Sequence, residues 1–209
     1  MLDLKTEQQY FDLGYNFIGG VDEAGRGPLA GPVVAACVVV GRDFKIDHGD
    51  LELVTDSKKL TAQKREKLFK IIKEKVLAVE IGVVEHETID KINILQASFL
   101  AMRRAIKRLK VQPDYILLDG AFKIPKLDKP QTAIVKGDGS VFCIAAASII
   151  AKVSRDWLMG ELDKKYPEYL FAKHKGYGTK LHLEKIKEHG PCPIHRRSFS
   201  PIKEMEAKK

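Results

Sequence analysis

Residues 141–151, VFCIAAASIIA, open a helix that is apolar on every side. Such a helix has no face to offer water, so other elements must enclose it, and its alanines let a neighbour approach closely. The helix is expected over about 140–165, and the rest of the chain supplies the cover. Residues 16–24 and 32–41 are valine-rich runs bounded by turn formers, and read as two strands joined by a Gly/Pro-rich connection. Thr61 caps a helix over 62–75 that carries Leu68, Ile71 and Ile72 on one face. Residues 76–84 read as a third strand and 94–109 as an amphipathic helix with a basic outer face. Tyr115–Leu118 and 132–136 read as a fourth and a fifth strand. Thr179 caps a short helix that Gly190-Pro191 stops. This order implies an α/β fold: a mixed five-stranded sheet flanked by helices, with a small helical C-terminal appendage. The expected division is an N-terminal extension over 1–15, a catalytic unit over 16–168 and a basic appendage over 169–209.

Length and composition fit one soluble unit with a proper core, at 209 residues, 44% hydrophobic and 31% charged. No apolar run approaches the roughly 20 residues that span a bilayer. The start, MLDLKTEQQY, lacks the basic and apolar regions of a signal peptide, so a cytoplasmic protein is expected. Cys37 and Cys143 lie in apolar runs and read as small core residues. His189, Cys192 and His195 are spaced three apart, but prolines interrupt them and no fourth ligand follows, so a zinc site is not expected. The net charge of +8 favours a polyanionic partner. Between Asp163 and Arg197 nine Lys/Arg face four acids, and four of the six histidines lie there too.

The acids are placed in a pattern. Asp22-Glu23 ends the first strand, Asp119 the fourth and Asp138 the fifth, each followed closely by glycine. In open α/β sheets, sites form beyond strand ends, where loops gather distant residues. Carboxylates gathered there repel unless a cation neutralises them, and hard divalent ions bind such oxygen ligands. An Asp-Gly pair alone is often just a turn. Asp22-Glu23 resists that reading because it sits within apolar sequence. Neighbours on a strand face opposite ways, so both serve one site only if the strand breaks, and Gly25 is placed to break it. Arg26 between Gly25 and Gly27 suggests backbone that a ligand approaches closely.

The blocks GVDEAGRGPLAGPVVAA, TDSKKLTAQKRE, INILQASFLAMRRAI, LLDG, KGDGSVFCIAAASIIAKVSRD and HKGYGT occur in that order. Together they resemble bacterial ribonuclease HII, the type 2 ribonuclease H family, over roughly Gly19 to Phe199. The resemblance implies a ribonuclease H-like fold and endonucleolytic cleavage of RNA within RNA–DNA duplexes, including nicks at ribonucleotides embedded in DNA. The products are 3′-hydroxyl and 5′-phosphate ends, and the cofactor is Mg²⁺ or Mn²⁺. It places the catalytic, metal-binding carboxylates on Asp22, Glu23, Asp119 and Asp138 and the ribose-reading element on Gly25, Arg26 and Gly27. Tyr177 falls on the residue that stacks on the sugar at the RNA–DNA junction, and Lys58, preferred over Lys59, on a phosphate contact. The implied partner is an RNA–DNA hybrid or a DNA duplex containing ribonucleotides, with no membrane and no obligate protein partner evident. Asp156 competes with Asp138 for the fourth ligand position, but it lies deep in the long helix with Lys152 one turn earlier, and is read as structural. Trp157 is expected in the core.

Two rivals remain. The sister family, ribonuclease HIII, carries an added N-terminal domain and commonly a glutamate as its fourth carboxylate. Here about 15 residues precede the first strand and the fourth acid is Asp138. A catalytically silent nucleic-acid-binding protein is disfavoured because uncompensated acids would repel phosphates.

Overall fold

A computed structural model describes residues 2–47 and 49–207. In chain order it contains α1 (Lys5–Asp12), β1 (Phe17–Ala24), β2 (Val33–Gly41), α2 (Ala62–Lys75), β3 (Ala78–Val84), α3 (His86–Arg108), β4 (Tyr115–Asp119), β5 (Gln131–Ile134), α4 (Phe142–Lys165), α5 (Phe171–His174), α6 (Lys180–His189) and α7 (Ile202–Glu206). Residues 208–209 of the expected appendage lie outside the described residues. The strands form one mixed sheet in the order β3-β2-β1-β4-β5. β2 runs antiparallel to both β1 and β3. β4 runs parallel to β1, and β5 parallel to β4.

Strand alternation divides the core between two faces. Ile18, Ala36, Val38, Val40 and Leu117 pack on the apolar half of α4. Val21, Ala35, Cys37, Val39, Ile116 and Leu118 pack on α3. α4 is enclosed as its composition requires, with every residue from Phe142 to Ala151 buried. Its approach to β1 is so close that a Cβ on Gly20 would stand 2.1 Å from the Cys143 carbonyl carbon. A third cluster joins Leu29, Ala30 and Met159 to Tyr169, Phe171, Ile186 and Ile194, and seats the C-terminal segment on the connection between β1 and β2.

Several boundaries differ from expectation for local reasons. The helix expected over 94–109 is the second limb of α3: Asn93 has φ +64°, and its Oδ1 accepts from Gln96 N at 3.1 Å, starting a new limb after a kink. On its basic face, Arg104 and Arg108 donate to the carbonyls of Val83 and Ile81, so two cations engage strand β3, at the edge of the sheet. Trp157, expected in the core, is 47% exposed and meets Phe69 edge-on. Thr61 and Thr179 cap α2 and α6 as expected.

The extension before β1 holds a helix that the sequence pattern left unassigned. α1 carries Glu7, fully buried, whose Oε1 accepts from Cys143 N at 2.8 Å and so caps the first turn of α4. Burial pushes the Glu7 carboxyl up, and Oε2 has no hydrogen-bond partner among the described residues. An acid held up in this way contributes most to stability below its unfolded value, and that contribution is lost as pH rises through the folded value. Glu7→Ala is therefore expected to lower the unfolding free energy by about 1 kcal/mol through loss of the cap. Glu7→Gln, which keeps an acceptor without the charge, is expected to be at least as stable as the parent at pH 7, with its advantage shrinking towards pH 4. Urea unfolding across that range measures both.

Candidate active site

β1, β4 and β5 run parallel, so their C-terminal ends share one rim of the sheet. Asp22 lies in the last turn of pleat of β1, Asp119 ends β4, and Asp138 follows β5 in the 3₁₀ turn Gly137–Gly139 that leads into α4. One carboxylate oxygen from each lies within 4.8 Å of the others, the only such His/Cys/Asp/Glu group among the described residues. Asp22 and Asp138 are buried and Asp119 is half-buried. Burial, then the charges of Glu23 and Asp119, holds Asp22 well above the usual carboxylate range. Burial and Asp138 push Asp119 up in the same sense. Such a set of desolvated, mutually repelling hard oxygen donors fits a hard divalent cation.

Glu23 stands apart from this trio. The ladder between β1 and β2 runs unbroken through Glu23↔Ala35 to Ala24↔Val34, and Gly25, with φ +99°, ends it only afterwards. The break expected at this point thus comes after both acids, and they keep opposite faces. Asp22 faces α4, where the Ser148 hydroxyl bonds to it and Ser148 Oγ lies 2.9 Å from Ser57 Oγ. Glu23 is turned towards α3 and accepts from Arg26 Nη1 at 3.2 Å. Both still line one cleft of about 270 Å³, because they sit at the rim where the sheet ends.

The same cleft is lined by Gly25, Arg26, Gly27, Lys58 and Tyr177, together with Ser57, Ser148 and Lys152. Lys58 Nζ reaches Asp138 Oδ2 at 3.2 Å from an exposed position. A Cβ on Gly27 would stand 3.7 Å from the Tyr177 ring, so the glycine-flanked loop and the tyrosine form adjoining walls. Tyr177 is 42% exposed. Asp156 is held by Lys152 at 2.7 Å and lies outside the carboxylate trio.

Comparison with known proteins gives this geometry a family. The ribonuclease HII family model matches residues 19–202. The chain belongs to the ribonuclease HII family. It is 53% identical over 199 residues to a ribonuclease HII of Endomicrobium trichonymphae, covering 95% of this chain and 92% of that one. A ribonuclease HII of Desulfitobacterium hafniense is 55% identical, with 97% and 75% covered. Among solved structures, the ribonuclease H2 of Pyrococcus horikoshii superposes with a TM-score of 0.75 at 30% identity, covering 92% of this chain and 98% of that one. The chain is accordingly a type 2 ribonuclease H, an endonucleolytic phosphodiester hydrolase on a ribonuclease H-like fold.

Two buried arginines, which the sequence did not single out, hold the wall that carries Gly25, Arg26 and Gly27. Arg155 of α4 donates through Nε to the Pro32 carbonyl at 2.9 Å and through Nη1 and Nη2 to those of Lys175 and Ala30. Arg196 donates to the carbonyls of Gly31, Arg26 and Gly25. A Cβ on Gly25 would stand 2.1 Å from Arg155 Nε, so glycine is required there for space as well as for φ. Burial lowers these guanidiniums to about 10 and about 9, with mutual repulsion adding to the effect at Arg196. The pattern was hidden because each contact joins residues far apart, 171 positions for Arg196 and Gly25. Arg196→Met would leave three loop carbonyls without these donors. It is expected to lower stability by roughly 2–4 kcal/mol, measured by urea unfolding.

Proposed function

We propose that this ribonuclease H acts on the RNA strand of RNA–DNA hybrids and nicks DNA duplexes at embedded ribonucleotides, leaving 3′-hydroxyl and 5′-phosphate ends. The observation that carries the reading is the meeting, in one cleft, of Asp22, Glu23 and Asp119 with the Gly25-Arg26-Gly27 loop and the Tyr177 ring, Asp138 standing behind as the third member of the carboxylate trio. RNA differs from DNA at a given site by its 2′-hydroxyl, so a nuclease that spares DNA needs a reader within reach of its cutting centre. Backbone exposed at Gly25 and Gly27 is suited to that reading, and Tyr177 offers a partly exposed ring on which a sugar can stack.

Ribonucleases HII depend on a divalent metal, and the donor set here suits one. Asp22, Asp119 and Asp138 would hold it, with Glu23 joining from the opposite face of β1; Mg²⁺ and Mn²⁺ are the ions we propose. A bound ion of this kind supplies Lewis acidity towards phosphodiester oxygens. The chain's own residues do the positioning. Lys58 stands at the cleft mouth, where an ammonium can meet a substrate phosphate. Arg26, tied to Glu23, sets one reading wall beside the acids. The excess of basic residues between Asp163 and Arg197 would track the duplex backbone and make affinity fall with salt. A cytoplasmic location is part of the same proposal.

Asp22→Asn is expected to bind a duplex carrying one ribonucleotide yet lose nicking by a thousandfold or more, a magnitude of the order seen when a charge-stabilising group is removed. Because the ionised trio repels itself, the same variant without metal should melt about 2–4 °C higher, as for ~1 kcal/mol in a chain of this size. Retained nicking would overturn the metal-site assignment. Arg26→Ala and Tyr177→Ala should each slow cleavage at a lone ribonucleotide. A direct test compares the parent protein on single-ribonucleotide and all-DNA duplexes, with and without Mg²⁺ or Mn²⁺. Equal cutting of the two would remove the ribose-reading claim.

A further inference from the structure

Behind Tyr177 lie three buried histidines that the cleavage chemistry does not use. His182 and His195 are fully buried and His174 nearly so. The rings of His174 and His182 stack with centroids 4.3 Å apart, and those of His182 and His195 with centroids 5.2 Å apart. Every ring nitrogen of the three is engaged, and the partners dictate where the protons sit. His174 Nε2 faces the Tyr169 carbonyl at 2.8 Å and must carry a hydrogen, while its Nδ1 accepts from Gly176 N at 3.2 Å. His182 Nδ1 faces the Tyr177 carbonyl at 2.9 Å and must also carry one. Burial lowers His182 and His195 to about 4, so both rings are neutral at working pH. A neutral His182 with its hydrogen on Nδ1 has a bare Nε2. His195 Nε2, 3.1 Å away, therefore donates to it. That leaves His195 Nδ1 bare to accept from Cys192 N at 2.9 Å, the shorter of its two contacts, the Cys192 carbonyl lying 3.3 Å away.

We propose that His174, His182 and His195 are positioning residues: a chain of neutral imidazoles, hydrogen-bonded from His195 to His182 and continued by ring stacking to His174, that clamps the backbone on both sides of the Tyr177 side chain. The chain grips Gly176 N before the tyrosine and the carbonyl of Tyr177 itself, while the His174 carbonyl accepts from Tyr177 N at 2.9 Å. It also ties this grip to the opposite wall, since Ala30 bridges to His195 and Leu29 N donates to the Gly176 carbonyl at 2.8 Å. The titratable and charged groups nearest the chain are Asp163 towards His174, His86 and Arg197 towards His195, and Tyr169 and Cys192 along its far side. The effect on cleavage rests on the reading of Tyr177 as the sugar-stacking residue; the chain itself does not.

The chain is tested directly by imidazole ¹⁵N NMR of the parent protein at pH 7.5. The expected spectrum has His182 as the Nδ1–H tautomer and His174 and His195 as Nε2–H tautomers; any other assignment, or a cationic ring, overturns the proposal. Its effect is tested by kcat/KM on a single-ribonucleotide duplex. His182→Leu is expected to lower it by about tenfold, the upper range for one net hydrogen bond. His182→Asn, whose amide can still donate to the Tyr177 carbonyl, should recover most of that loss. In a Tyr177→Ala background, His182→Leu should cause no further loss. An undiminished tenfold loss there, or no recovery by asparagine, shows that the histidines act through general folding and overturns the positioning role. An unchanged rate for Tyr177→Ala alone would remove the stacking role of Tyr177, and the nitrogen spectrum would still decide the chain.

Discussion

The contact between α4 and β1 at Gly20 governs where everything else can lie. Only a glycine lets the helix backbone come this near the strand, and only an all-apolar first half of α4 can fill the space it enters. Two residues beyond Gly20 on the same face, Asp22 then stands beside Ser148, about one and a half turns beyond Cys143 along the helix. The start of the helix is fixed by the same contact, and so is the short turn before it, which carries Asp138 to Asp119. The trio of acids is therefore a by-product of close helix–strand packing at Gly20. A methyl group at Gly20 would push the helix out and separate acids that no direct bond between side chains holds together.

The charges near the site are arranged against their most stable pairing. Arg155 and Arg196 are buried beside the loop that follows Asp22 and Glu23, yet both point their donors at carbonyls. Pairing them with the acids would relieve two desolvation penalties at once. Instead the arginines rigidify the loop, and the trio keeps oxygens directed at the cleft. Among the cations of the described residues, Lys58 and Arg26, both at the cleft surface, pair with these acids. Surface ion pairs of this kind are weak and easily exchanged. The interior cations hold the loop, and the exposed ones pair with the acids.

Much of this was legible in the sequence because it follows from period and punctuation. The enclosed helix, five strands, and the acids at strand ends came from local patterns, and 62–75 is a helix to the residue because Thr61 caps it and Val76 turns extended. Departures arose where a long-range contact decides. α1 is short and mostly polar, and its place depends on Glu7 meeting Cys143, 136 positions away. Asn93 hides a second helix start inside a longer one, because its left-handed backbone interrupts a continuous apolar pattern. The facing of Asp22 and Glu23 was posed correctly as alternation but resolved wrongly. The strand need not break between two neighbours for both to reach one cleft, provided they are the last residues before the rim.

That last point bears on how the carboxylate trio and the Gly25-Arg26-Gly27 loop come to adjoin. Alternation sends Asp22 into the trio under α4, while Glu23 on the other face is free to hold Arg26. Had the strand broken before Glu23, both acids would have turned to one side, and the arginine would have lost the carboxylate that orients it. Continuing the ladder to Ala24 and turning at Gly25 gives each acid its own partners, Ser148 and the trio for Asp22 and Arg26 for Glu23. The C-terminal segment then closes the arrangement from behind. Through Arg196 it holds the carbonyls of Gly25 and Arg26, and through the backbone between Leu29 and Gly176 it holds Tyr177 against Gly27. A residue near the end of the chain thereby sets the distance between the acids of the first strand and the ring that faces them.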